Sequence, residues 1–167
     1  RAGDRMTRHL LARGAKSPVF WGRAHSAPTV DARAAGFLDV LRSTGHNGSG
    51  NARVVFGDPS DAHLVSQTIH ALAPDAFLCA NDVTAAHLMQ SLESLGVDVP
   101  TQMRIAGIDD VRYSNLLRVP LTTLQQPCLE IGEVAIQVML TRIAQPGLPA
   151  RDVLLDSRLI VRDSCGR

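Results

Sequence analysis

The apolar residues of this chain fall into two alternating rhythms. Compact runs such as 54–56 (Val-Val-Phe) and 77–79 (Phe-Leu-Cys) are of the kind that fills a strand buried on both faces. Segments 17–22, 103–108 and 121–124 read the same way. Between the runs, apolar residues recur at the spacing of one helix face. Leu10 and Leu11 mark the end of a helix over 6–12 closed by Gly14. Ala35, Leu38 and Leu41 mark a second that ends near Gly45, and Leu64, Val65, Ile69 and Leu72 a third over about 60–72. The stretch 75–96 holds a whole unit: a strand, the cap-forming Asn81 and Asp82, then Ala85, Leu88, Met89, Leu92 and Leu95, with Gly96 as the stop. A long helix is predicted from Pro127 to about Ala144, broken by Pro146 and Gly147. Two short strands, 153–155 and 159–161, follow it around a turn.

Strands and helices alternate through the first 110 residues. That alternation predicts an α/β fold, a parallel doubly wound sheet covered by helices on both faces. Right-handed crossovers then bring every strand's carboxyl end to one edge. The residues delivered there are 23–33, Asp58, Pro59, Asn81, Asp82, Asp109 and Asp110. Polar groups converging on one rim of such a sheet predict a small-molecule cleft.

The candidate chemistry is that of binding. Asp109 and Asp110 are adjacent on an extended chain and point opposite ways, so they do not form a carboxyl pair sharing a proton. One serves the turn and the other faces the cleft. Thr29 or Asp31 is placed to cap the second helix. His63 and His70 stand seven apart, too far for a zinc-binding i, i+4 pair, and no metal site is expected. The glycine-rich loop 45–51 lacks the GK[ST] of a phosphate cradle, and GxSxG, HExxH and GxGxxG are missing. No catalytic residue and no cofactor is therefore expected. Trp21, ending a core strand, reads as a packed floor residue, with a stacking platform for a ligand as the alternative.

Composition narrows the class. At 167 residues the chain is long enough for one domain with a real core, and 45% hydrophobic with 20% charged residues is ordinary for a soluble globular protein. The net charge of +1 and scattered arginines make no basic patch of the sort that grips nucleic acid. No segment approaches the ~20 apolar residues of a membrane span. The first residues lack an apolar signal core and enter a helix with no lead-in. Three cysteines without CxxC spacing read as reduced thiols, which favours the cytoplasm.

Three longer motifs narrow it further: CANDVTAAHLMQSLESLGVDVP, RIAGIDDVRYSNLLRVPLTTLQQP and LLDSRLIVRDS. Together with HLLARGAKSPVFWGR and DARAAGF, they resemble the C-terminal part of lactose-repressor/galactose-repressor (LacI/GalR) transcriptional regulators. The resemblance implies the second lobe of a type I periplasmic-binding-protein-like fold. Residues 1–124 would form that lobe, 125–156 a helix and strand belonging to the N-terminal lobe, and 157–167 a return strand and tail. It implies effector contacts from Arg33, Asn81 and Asp109, with Thr29 a weaker member. Such a set suits a sugar or nucleoside-like polyol, since Arg donates a planar fork, Asp accepts from two hydroxyls and Asn does both. Many relatives carry an aromatic residue after the GD turn where this chain has Pro59, which leaves Trp21, Tyr113 or a residue from elsewhere to face a sugar ring. The resemblance also implies a homodimer through Ala85, Met89, Leu116 and Leu117, and DNA contact only through a helix-turn-helix outside these residues. A periplasmic sugar receptor of a transport system is the alternative on the same fold.

The helix over 127–144 sets its own demand. Glu130, Glu133, Gln137 and Thr141 form a narrow polar stripe, and Ile131, Val134, Ala135, Ile136, Val138, Met139, Leu140 and Ile143 cover most of the rest. Leaving five such side chains in water forgoes roughly 8–15 kcal/mol, so another surface, such as a second copy of the chain, is expected to cover them.

Overall fold

The computed structural model describes residues 1–23, 27–46 and 53–166. Most of the glycine-rich loop 45–51 lies outside them. Five helices and six strands occur among the described residues: α1 (Ala2–Ala12), β1 (Pro18–Gly22), α2 (Pro28–Ser43), β2 (Val54–Phe56), α3 (Ala62–Leu72), β3 (Ala76–Cys79), α4 (Asp82–Ser94), β4 (Arg104–Asp109), β5 (Thr122–Gln125), α5 (Cys128–Ala144) and β6 (Arg158–Ile160). They build one sheet in the order β2-β1-β3-β4-β5-β6. The first five strands run parallel, and β6 returns antiparallel to β5 with Leu124 opposite Leu159.

The doubly wound arrangement follows from strand alternation, which sends successive side chains to opposite faces. Phe20, Leu78, Ala106 and Ile108 point to one side, where Met6 and Leu10 of α1 and Phe37 and Leu41 of α2 cover them. Val19, Trp21, Phe77, Cys79 and Ile105 point to the other, under Val65 of α3 and Leu88 and Leu92 of α4. Because β1 and β3 are buried on both faces, their sequences read as unbroken apolar runs. The expected α/β sheet is therefore found, with one antiparallel edge strand added.

Several local expectations shift. Neither Thr29 nor Asp31 caps α2. The helix begins at Pro28, whose ring presets the first helical φ, so both residues lie inside the first turn and Ala27 stands at the cap without a side-chain bond. The buried face is accordingly Val30, Ala34, Phe37, Val40 and Leu41, and Ala35 is exposed. Helix α3 starts later than position 60, at the residue after Asp61, whose carboxylate accepts from the amides of His63 and Leu64. Residues 153–155 form no strand, because no neighbouring strand runs beside them to accept their backbone bonds.

Helix α5 is formed over its expected length, yet none of its residues is buried by the rest of the chain. Leu129 is 80% exposed and Ile136, Leu140 and Ile143 are exposed with it. Its inner side borders a cleft of about 660 Å³ shared with Val153, Leu154 and Leu155. The excursion from 126 to 157 thus carries its own apolar surface away from the sheet.

Candidate functional site

The carboxyl edge of the sheet is built around an unusual turn. β4 ends in Asp109 at φ +123° and continues into Asp110 at φ +52°, a region that side-chain-bearing residues seldom adopt and that other contacts must hold. The turn is gripped from below by two residues. The Asp110 amide donates to Thr123 Oγ1 at 3.3 Å, and the Val111 amide donates to Asp82 Oδ2 at 3.0 Å. Thr123 Oγ1 in turn donates to Asp82 Oδ1 at 2.6 Å, tying β5 to the first turn of α4.

Asp82 is fully buried, so it is not the free cap that its position after a strand suggested; Asn81 is the cap, its Oδ1 accepting from the Thr84 amide at 2.8 Å. Burial pushes the Asp82 carboxyl above its ordinary range, the Thr123 hydroxyl and Val111 amide pull it back, and the charges of Asp109 and Asp110 push it up again. The folded chain therefore holds that proton longer than the unfolded chain does. Unfolding free energy is expected to fall as pH rises from 3.8, the ordinary value, through the raised one. Chemical denaturation across that window checks this, and Asp82→Asn is expected to flatten the slope.

Above the turn, the two aspartates do face opposite partners. Asp109 Oδ1 accepts from Arg33 Nη2 at 3.1 Å and from the Gln126 side-chain amide. Arg33 reaches across from α2 and also donates through Nη1 to the Ala80 carbonyl, the residue before Asn81. Arg33 and Asp109 thus meet at the carboxyl edge beside the Ala80–Asn81 turn, with Oδ2 of the aspartate not used in these bonds and the Asn81 NH₂ not used in its cap. Thr29, exposed one turn before Arg33, shares no hydrogen bond with them. Asp110 turns the other way, accepting from Arg162 Nη2 at 2.7 Å and Gln125 Nε2 at 2.7 Å.

Trp21 is a floor residue: it is fully buried, its ring set edge-on to Phe77 at 5.7 Å, its indole N–H donating to the Gly57 carbonyl at 3.2 Å. Two aromatic rings remain open near the rim. Tyr113 follows the aspartate turn, its hydroxyl raised in pKa by burial and then by the Asp82 and Asp109 charges. Phe56, 44% exposed, lies over Gly22 at the end of β2. Sequence reasoning missed Phe56, Gln125, Gln126, Thr123, Asp82 as a buried support, and Arg162. The motif PLTTLQQP pointed to the glutamines and threonine without giving them roles.

Among the described residues, no three of His, Cys, Asp or Glu stand where they could hold a metal ion. Burial pushes the thiol of Cys165 up to about 11, and that of Cys79 upward as well, which leaves both as unreactive packing groups. No helix is long and apolar enough to cross a membrane among the described residues.

Of the interface candidates, Ala85 must be corrected. It lies on the inner face of α4, fully buried in the core between that helix and the sheet, and is not exposed to a partner. Met89 and Leu117 are partly buried against that core, while Leu116 is 80% exposed.

Residues 7–165 match the family described as periplasmic binding protein-like domain, and the chain belongs to it. It is 26% identical over 159 residues to the uncharacterized HTH-type transcriptional regulator YvdE of Bacillus subtilis (strain 168), spanning 95% of this chain and 50% of that protein. It is 37% identical over 95 residues to the ribose operon repressor of Escherichia coli (strain K12), which spans 57% of this chain and 29% of the repressor. Among solved structures, a LacI family transcriptional regulator from Enterococcus faecium with bound ribose superimposes with a TM-score of 0.83 at 23% identity, over 99% of this chain and 62% of that one. The chain therefore spans about half the length of the first of these relatives, and it shares the fold of that Enterococcus faecium regulator.

Proposed function

We propose that this chain is the effector-sensing part of a LacI-type transcription regulator and binds a sugar or a nucleoside-like polyol. What supports this reading is the Arg33–Asp109 pair beside the Asn81 cap at the carboxyl edge, where open α/β sheets take their ligands. The guanidinium and carboxylate hold each other in the plane that a vicinal diol bridges, and Asn81 adds a donor beside them. Thr29 stands at the margin of this group, and Phe56 or Tyr113 supplies the apolar face that Pro59 does not. The regulator names of the relatives favour this reading over a transport receptor.

In this reading residues 1–124 are one lobe, 125–156 contribute α5 and the segment after it to the other, and 157–167 return. The apolar surface of α5 is then the packing face of that second lobe, which supports the excursion's role better than a solvent-facing helix does. The effector closes the lobes and changes how a cytoplasmic homodimer presents a helix-turn-helix carried elsewhere in the polypeptide. The reading needs no catalytic group. Thermal-shift screening of the whole polypeptide against pentoses, hexoses and nucleosides tests it: one class raises the midpoint, whereas no shift with any member contradicts it.

In this reading the dimer surface includes Leu116, Leu117 and Met89. Leu116 projects from the turn after Tyr113 beside a groove of about 360 Å³ between α4 and 117–119. An exposed apolar knob next to a groove with an apolar floor and a charged rim suits a self-complementary contact. Leu116→Asp is expected to leave the fold intact, since the side chain has no core role, and to turn the dimer into monomer in light scattering.

A further inference from the structure

The proposed effector wall explains Asp109 but leaves its neighbour unused, and Asp110 has the denser set of contacts. Its side chain is 12% exposed and that of its partner Arg162 17%, a largely desolvated ion pair at 2.7 Å. Arg162 also donates to Ser114 Oγ at 3.0 Å and to the Leu121 carbonyl at 2.8 Å, and its backbone amide donates to Thr122 Oγ1 at 2.9 Å. The other carboxylate oxygen of Asp110 takes Gln125.

These contacts have a particular placement. Gln125 ends β5, immediately before Gln126 and the start of α5, where the chain leaves the sheet. Arg162 follows β6, where the chain comes back, with Arg158 opposite Gln125. Asp110 thus binds both the departing and the returning strand, and Asp109, one peptide unit away, binds Arg33 and the other glutamine. The two aspartates share a backbone at positive φ that cannot relax at one residue without moving the other. A side chain that fixes Asp110 therefore also aims Asp109.

We propose that Arg162 is a positioning residue for the effector site: by clamping Asp110 between the two strand crossings, it sets the turn that holds Asp109 against Arg33 and makes that turn responsive to the excursion carrying α5. The claim rests on the effector reading for its biological meaning, but its physical content does not. Without the guanidinium, the carboxylate of Asp110 loses its strongest donor and the turn reverts toward ordinary backbone conformations.

Amide hydrogen exchange on the whole effector-free polypeptide tests this, comparing the unaltered protein with Arg162→Met and, as a subtler removal of the same charge pair, Asp110→Asn. Both variants should speed exchange at Asp110 and Val111 about tenfold or more, because the bonds of those amides to Thr123 and Asp82 open when the turn relaxes, and leave 76–79 of β3 unchanged. Equal rates at 110 and 111 overturn the proposal, as does acceleration that is uniform across β1, β3 and β4, the mark of a merely structural role. A second arm titrates D-ribose by calorimetry. Weaker ribose binding by Arg162→Met, with an unaltered denaturation midpoint, supports the proposal, and unchanged affinity contradicts it. If the unaltered protein binds no ribose, only the choice of ribose as effector is in error, and the exchange rates decide for Arg162 on their own.

Discussion

Replacing Arg33 by alanine is expected to remove effector binding almost entirely while the protein stays folded. Arg33 bonds Asp109 and, on the other side, the carbonyl of Ala80, the residue before Asn81. Truncating one partner of a part-buried, hydrogen-bonded charge pair of this kind costs about 2–4 kcal/mol, or thirtyfold to a thousandfold in affinity. The damage to stability is smaller, because Asp109 keeps Gln126 and lies near enough to solvent to be hydrated. Calorimetric titration with whichever sugar or nucleoside shifts the midpoint reads the loss directly. Arg33→Lys is expected to recover little, since an ammonium cannot reach the carbonyl and the carboxylate in one plane.

Replacing Gly107 by alanine is expected to have the largest effect on stability. A methyl group there would stand 2.2 Å from Asp82 Oδ1 and 3.0 Å from Leu121 Cδ2. Asp82 cannot swing aside without breaking its bonds to Thr123 and Val111 in a buried setting. Overpacking and an unpaired buried carboxylate together cost about 3 kcal/mol or more, enough to lower the urea midpoint sharply. The same substitution is expected to weaken effector binding, because Asp82 supports the turn that presents Asp109. Full stability in Gly107→Ala would show that the β4–α4 contact is looser than described.

The layered sheet was legible because buried parallel strands and amphipathic helices have periods that show in a single sequence. Where the reading slipped, a local rule competed with it: Pro28 set the start of α2 ahead of Thr29 and Asp31, and 153–155 had strand-like residues but no strand to pair with. Arg33, Asn81 and Asp109 were singled out through motif position rather than periodicity, and of these Arg33 and Asp109 are found bonded to each other. The bonds that join Arg33 to Asp109, Gln126 to Asp109 and Arg162 to Asp110 span 76, 17 and 52 residues and leave no mark in any local pattern. Asp82 looked like a second cap because caps and buried supports share the same residue type at the same turn. Its burial depends on β5 passing above it, which only the fold reveals.

Effector placement can be measured without knowing the effector's structure. Amide exchange of the whole polypeptide, with and without the compound that stabilises it, is expected to show protection at 80–84, 109–111 and 125–128, where the wall and the chain crossing meet. The groove lined by Met89, Val97, Val99 and Leu117 offers the opposite outcome, since it lies away from that wall along α4. Protection confined to 86–99 and 117–119, with the carboxyl edge unchanged, would contradict the account.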